Sequence, residues 1–595
     1  MYILGIHDGH NGAACLMKEG VILYAVQEER FRRLKNFWGP PIESIRACLS
    51  FAGIGLSDLQ EIAFASYQHP TRGYISRDDY ITYTREMLRT RNHKAVLRYV
   101  LDQIKSRFRK PSYDVGKRLR LYRELGLECL PQERIKTVEH HICHFATAAF
   151  GSDNGVGNDL LVFTVDGYGD GECATVSTLS KTGTIRKVFS SPDTHPFAKI
   201  YAWVTVYLGF IHLEHEYKLM GMAPYANPDR ARKMADKFAS LLPFEDGRWL
   251  YWRGPIRTEV DDYLIYQDIQ RICAFERFDD VCGGLQLFSE ELIVKFVEYW
   301  VQKTSIRNIA LSGGFFMNVK ANQVLKNSKS LERIYIFPSC GDETNAIGAA
   351  MFNYFANTGQ RPKSIREFTL GDAISDVGPD ELVNSGLHGA AAKATYFDDI
   401  ETEIARLLAS GEIVARVKGR EEFGARALGN RSILANPSDW RKVQIINDMI
   451  KSRDFWMPFA ASIIDEDKER YLKNCDDSYA AHYMIMTYDA INTGDILAAI
   501  HPKDKTVRPQ VVTEEFNPEY HRLIRAFKDF TGVGAVLNTS FNLHGHPLVH
   551  SVKDAVDVFF NSGLKFLAVG NFLLVKQSTF TEVSLKITGK EPVEL

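Results

Sequence analysis

What this chain has little of narrows its chemistry before any motif is read. Its 72 Lys and Arg against 74 Asp and Glu leave a formal net charge of -2. That excludes the global field that drives non-specific binding to nucleic acid or to an anionic membrane surface. The nine cysteines include no Cys-x-x-Cys pair, so neither a disulfide framework nor a thiolate zinc site is expected. Long apolar runs are missing too: stretches such as Leu160 to Val165 are strand-sized, and the start carries no basic segment leading into an apolar one. A cytoplasmic protein without a membrane partner is expected. Neither a Walker A loop nor a Gly-x-Gly-x-x-Gly opening a helix is present.

What is present is a globular α/β pattern, with 45% hydrophobic and 25% charged residues. Tyr2 to Ile6 is β-prone, breaks at a polar turn spanning His7 to Gly12, and resumes at Ala13 to Met17 and Val21 to Glu28. The spacing predicts a helix over Ile42 to Ala52 and a strand over Glu61 to Ser66. The stretch from Arg85 to Arg123 is strongly basic, and its sparse aromatics favour a solvated helical insertion over a nucleic-acid patch. Three apolar strands then end in small and acidic residues, at Asp166 to Gly171, Ser312 to Gly314 and Pro338 to Asp342. Open α/β sheets bind ligands at such strand ends. The polar segment Asn357 to Lys363 marks a boundary, giving domains 1–360 and 361–595.

Three constellations carry chemistry. In Glu139 to His144, a helix places His140 and His144 at i and i+4, near enough for one metal ion, while His141 points elsewhere. Asp342 supplies a third, oxygen ligand, and a two-His, one-carboxylate set with open positions suits Fe(II) or another divalent ion. Glycine-rich strand ends let backbone N–H groups approach phosphate, which makes Asp166, Gly313, Gly314 and Asn318 candidate nucleotide contacts. The loop from Lys418 to Ser432 interleaves Arg426 and Arg431 with glycines and apolar anchors. With Lys451, Arg453, Arg508, Asn538 and Ser540, it reads as a pocket for phosphorylated substrates, because guanidinium forks bind phosphate bidentately.

At Glu422 to Leu434, Glu28 to Phe31, Glu139 to His144, Tyr217 to Ala223, Ser312 to Gly314 and Asn538 to Asn542, the sequence resembles the O-carbamoyltransferases of tobramycin, cephem, ansamycin and nodulation-factor biosynthesis. The resemblance covers nearly the whole chain. It implies an α/β protein with an N-terminal actin-like ATPase domain (the ASKHA fold, similar to threonylcarbamoyl transferases) and a C-terminal YrdC-like domain. It also implies an activity: carbamoyl phosphate and ATP, the latter with Mg2+, give carbamoyl-adenylate, which carbamoylates a hydroxyl of a small-molecule natural product. The acceptor would be an antibiotic, a toxin such as saxitoxin, or similar. The resemblance places Fe(II) on His140, His144 and Asp342, and the carbamoyl-phosphate and adenylate roles on Arg426, Arg431, Lys451, Arg453, Arg508, Asn538 and Ser540, with Lys418 beside them. Asp8 and His10 match the acceptor turn, and His10 is the candidate general base, since imidazole exchanges protons near neutral pH. Asn11 stands where the family often has Asp, so a carboxylate orienting His10 must be Asp8 or another acid. No nucleic-acid partner is expected, and a homodimer is compatible with the sequence. The alternative is an actin-like small-molecule kinase with an accessory domain, which would leave ADP instead of AMP and pyrophosphate.

Overall fold

The computed structural model describes residues 1–67, 115–195, 197–251, 262–375, 377–387, 392–475 and 479–577. Most of the basic stretch, including Arg89, Arg91, Lys94, Arg98, Lys105, Arg107, Arg109 and Lys110, lies outside the described residues. The chain divides into two compact units, Met1–Arg32 with Asn36–Ile365, and Arg33–Lys35 with Arg366–Leu595.

The first unit is built from two sheets with one strand order. β1 (Tyr2–His7), β2 (Ala13–Lys18) and β3 (Val21–Gln27) form an antiparallel meander, and β4 (Glu61–Ala65) and β5 (Ile135–Val138) add in parallel beside β1, giving the order 3-2-1-4-5. β6 (Leu160–Gly169), β7 (Glu172–Leu179) and β8 (Ile185–Pro192) repeat the meander, and β9 (Asn308–Ser312) and β10 (Arg333–Ile336) add in parallel beside β6. Parallel neighbours need crossover connections, and the helices Ile42–Ala52, His140–Phe150 and Val319–Lys326 lie in such crossings or next to them. This duplicated order is the architecture of the actin-like ATPase fold. Both central strands are apolar because they are covered on both faces.

Two helices bring the site together. His140–Phe150 packs against Asn345–Thr358, and the latter also lies on β1. The approach is close enough that a Cβ on Gly348 would stand 2.1 Å from the Cys143 carbonyl oxygen, so only glycine fits there. The run Asn-Ala-Ile-Gly-Ala-Ala therefore reads as a packing surface.

The second unit centres on an eight-stranded mixed sheet in the order Ala392–Tyr396, Phe572–Lys576, Phe566–Val569, Val414–Val417, Arg431–Ala435, Ala535–Ser540, Ala460–Ile464, Pro509–Val512. Its core is aliphatic and aromatic, with Ile433, Leu537, Phe541, Phe559 and Leu567 buried. The helix Arg441–Ile446 is short, and Asn447–Lys451 widens to a π-type turn that closes on Ser452 at φ 45°. Such widened turns recur at functional sites. Among the described residues, no helix is long and apolar enough to cross a membrane.

Candidate functional site

In the first unit, the helix His140–Phe150 is fixed at its N-terminus by two carboxylates. Glu139 accepts from the N–H groups of His141 and Ile142, and Asp170 from that of His140, so the orphan donors of the first turn are satisfied. One turn apart, His140 and His144 face β6 and the turn after β10. His140 Nε2 lies 3.1 Å from Asp166 Oδ2 and 3.6 Å from Asp342 Oδ1, and His144 Nε2 lies 3.5 Å from Asp342 Oδ1. One ligand atom from each of these four side chains falls within 4.8 Å of the others. His141 turns away to Thr164 and the Glu172 carbonyl. A Cβ on Gly169 would meet the His140 ring at 2.1 Å, so the glycine lets β6 pass under the imidazole.

This centre fits a divalent cation. Two imidazoles and two carboxylates are a mixed nitrogen and oxygen donor set, and Asp342 Oδ1 is buried with no hydrogen-bond partner, as a ligand atom awaiting a cation would be. The charge balance agrees. Burial works against a charged His140, yet Asp342 and Asp166 carry it up to about 10, while burial and the neighbouring His140 push His144 down to about 3. Burial and the Asp166 charge raise Asp342. Asp166, assigned above to nucleotide contacts, sits instead among the imidazoles, and its Oδ1 accepts from Gly314 N–H at 2.9 Å. That N–H is therefore engaged by protein. Asn318 is engaged likewise, through a reciprocal amide pair with Gln286 and the N–H of Ala321. Gly313 takes a left-handed φ of 103° that lets the chain pass β6.

The turn that carries Asp8 and His10 follows β1. His10 is half-buried, edge-on to Trp38. Burial lowers its pKa, opposed by the charges of Asp342 and Asp166. The acids acting on His10 are thus the two that face His140 and His144. Asp8 cannot orient it: with 1% exposure, its carboxylate receives Arg118 Nε at 2.8 Å, Arg118 Nη2, and Tyr122 OH at 3.0 Å. Arg118 also donates to the Ser66 and Ala65 carbonyls and lies over the Phe64 ring. The solvated reading of the basic stretch holds for Lys117 and Arg120, which are exposed, but fails for Arg118, whose 0% exposure reflects the carboxylate it neutralises.

In the second unit, the candidate cations separate into two groups. Glu422 Oε1 gathers the N–H groups of Leu428, Asn430 and Arg431 and so folds the loop that carries Arg426. Arg508 stands just before Pro509–Val512, half-buried with its Nε unpaired, and burial followed by the like charges of Arg426 and Arg453 drives its guanidinium well below the ordinary value. An arginine keeps its proton under such pressure, and an anion is what relieves it. Lys451 is buried and donates to Ser540 through its carbonyl and its hydroxyl, and to Asn542 Oδ1 at 2.6 Å. Burial and the Arg453 charge lower its pKa strongly.

Family models match both halves: Carbamoyltransferase N-terminus over residues 2–351 and Carbamoyltransferase C-terminus over 405–576. This chain is a member of the carbamoyltransferase family. It is 31% identical to nodulation protein NolNO of Sinorhizobium fredii over 582 residues, 96% of this chain and 80% of that one. It is 32% identical to nodulation protein NolO of Bradyrhizobium diazoefficiens over 451 residues, 74% and 79% of the two chains. It is 28% identical to the 3'-hydroxymethylcephem-O-carbamoyltransferase of Amycolatopsis lactamdurans over 287 residues, 48% and 52% of the two chains. A carbamoyltransferase takes the place of the kinase alternative.

Three residues expected at the phosphate pocket of this carbamoyltransferase are held by the protein itself. Lys418 donates to Glu401 at 2.8 Å and pairs with Glu519 at 3.0 Å, in a cluster shared with Arg416 and Arg522. Arg431 gives its Nη atoms to the carbonyls of Gly419, Asn430 and Asp372. Asn538 donates to Ala427, Ser462 and Gln510 and leaves its Oδ1 buried without a partner. The first two are anchors of the loop framework, because a cation already surrounded by oxygen has little left for a ligand. The spacing Asp166-Gly-Tyr-Gly-Asp170 was the available signal for what the sequence reading missed: one aspartate faces the His140 and His144 imidazoles and the other caps their helix.

Proposed function

We propose that this carbamoyltransferase is ATP-dependent and works in two half-reactions, with carbamoyl-adenylate between them. In the second unit, Arg426, Arg453 and Arg508 take the phosphates of carbamoyl phosphate and of ATP with its Mg2+, with Ser540 and Asn538 beside them, while Lys451, already held by Ser540 and Asn542, belongs to the frame. Water takes the phosphoryl group of carbamoyl phosphate, leaving carbamate and inorganic phosphate; a carbamate oxygen then attacks the α-phosphorus of ATP, forming carbamoyl-adenylate as pyrophosphate leaves. In the first unit, the hydroxyl of a small-molecule acceptor attacks the carbamoyl carbon, AMP departs, and the neutral His10 imidazole takes the hydroxyl proton. His140, His144, Asp166 and Asp342 would hold Fe(II) or another divalent ion, which when bound supplies Lewis-acid polarisation of the carbamoyl carbonyl. Asp8 and Arg118 keep the His10 turn in place.

The observation that carries this reading is the guanidinium cluster around Arg508, whose like charges call for a polyanion. The metal centre in the other unit is an opposite site, rich in acid. The test is the nucleotide product: with carbamoyl phosphate and ATP, adenylation releases pyrophosphate, and transfer to an acceptor then releases AMP. Release of ADP alone would contradict it.

A further inference from the structure

Asn345 opens the helix Asn345–Thr358, three residues after Asp342, and is fully buried. Its Nδ2 stands 3.5 Å from His140 Nδ1 and 3.4 Å from His144 Nε2, while its Oδ1 is buried with no hydrogen-bond partner. A buried amide oxygen left unpaired is costly. The arrangement is also wrong for a loaded metal centre. His140 Nε2 faces Asp166 and Asp342, so it is the ligand atom, and an imidazole that gives Nε2 to a metal carries its proton on Nδ1. That N–H would point at the Asn345 NH2, donor against donor. His144 is already provided for, with Nδ1 at 3.3 Å from the Ser312 hydroxyl, itself bonded to Thr147.

A half-turn of the Asn345 amide exchanges Nδ2 and Oδ1, which gives the oxygen a partner in His140 Nδ1 and removes the meeting of two donors. We propose that Asn345 is a positioning residue of the metal centre: in the loaded protein its Oδ1 accepts from His140 Nδ1 and fixes that ring with Nε2 toward the metal. Outer partners of this kind orient a ligating histidine and raise its basicity, and losing one lowers metal affinity about 10–100-fold. The inference rests on the reading that His140, His144, Asp166 and Asp342 hold a metal, and goes beyond it.

The test uses the full chain titrated with Co(II), following its visible absorption and measuring affinity by chelator competition. Asn345→Ala is expected to bind about 10–100-fold more weakly than the unaltered protein. Asn345→Asp keeps an oxygen in place, and is expected to restore the affinity and the spectrum. Equal affinity in Asn345→Ala, or a loss in Asn345→Asp as large as in Asn345→Ala, would overturn the role of Asn345 while leaving the metal centre intact. Absence of Co(II) binding by the unaltered protein would overturn the metal centre itself.

Discussion

Asp8 and Asp166 occupy one place in two copies of a topology. Each follows the last regular pair of a first strand with a second, His7 with Ala13 in one sheet and Val165 with Ala174 in the other. Their surroundings are opposite. Asp8 meets Arg118 and is neutralised inside the protein, whereas Asp166 meets two imidazoles and a second aspartate. The same contrast divides the cations of the second unit, where Lys418 has Glu401 and Glu519 and Arg508 is faced by Arg426 and Arg453. Charges paired one to one within the chain build the frame, and places where like charges crowd together are where a ligand's charge is required.

The sharpest way to break this contrast is to exchange the two aspartates' fates. Asp166→Ala should abolish Co(II) or Fe(II) uptake, read as metal per chain, whereas Asp8→Ala should retain uptake and lose stability. Next in size, Arg508→Ala should lower pyrophosphate release by about 10²–10³-fold, as loss of one preorganised charged contact does elsewhere. Arg118→Met leaves the buried Asp8 without its counter-charge and with only the Tyr122 hydroxyl among the donors named above, which should cost about 3–5 kcal/mol in denaturant unfolding. Adding Asp8→Asn should return part of that loss. The smallest effect concerns pH. Burial lowers the pKa of His10, so the base form persists as pH falls, and the acid limb of kcat/KM should lie below the ordinary histidine value of about 6.5. A limb centred above it would remove His10 from the role of base.

The strands, the His140 and His144 pair and the Arg-rich loop were legible because each is a local pattern: alternation, i and i+4 spacing, glycines among cations. The helix over Ile42 to Ala52 was read to its ends, since a buried stripe and Gly53 at φ 62° define it locally. What was illegible is whether a charge is balanced. Asp8 and Asp166 look alike in sequence, and only the arrival of Arg118 from 110 positions away separates them. Asn345 was hidden similarly, in a run of small residues whose evident purpose is packing.

The division of labour between the two units is tested most directly by looking for carbamoyl-AMP by mass, with carbamoyl phosphate and ATP supplied, in Arg508→Ala and Asp342→Ala. The account predicts carbamoyl-AMP formation lowered about 10²–10³-fold in Arg508→Ala, and carbamoyl-AMP with pyrophosphate from Asp342→Ala, whose lesion lies in the other unit. Undiminished carbamoyl-AMP from Arg508→Ala, or none from a folded Asp342→Ala, would contradict it.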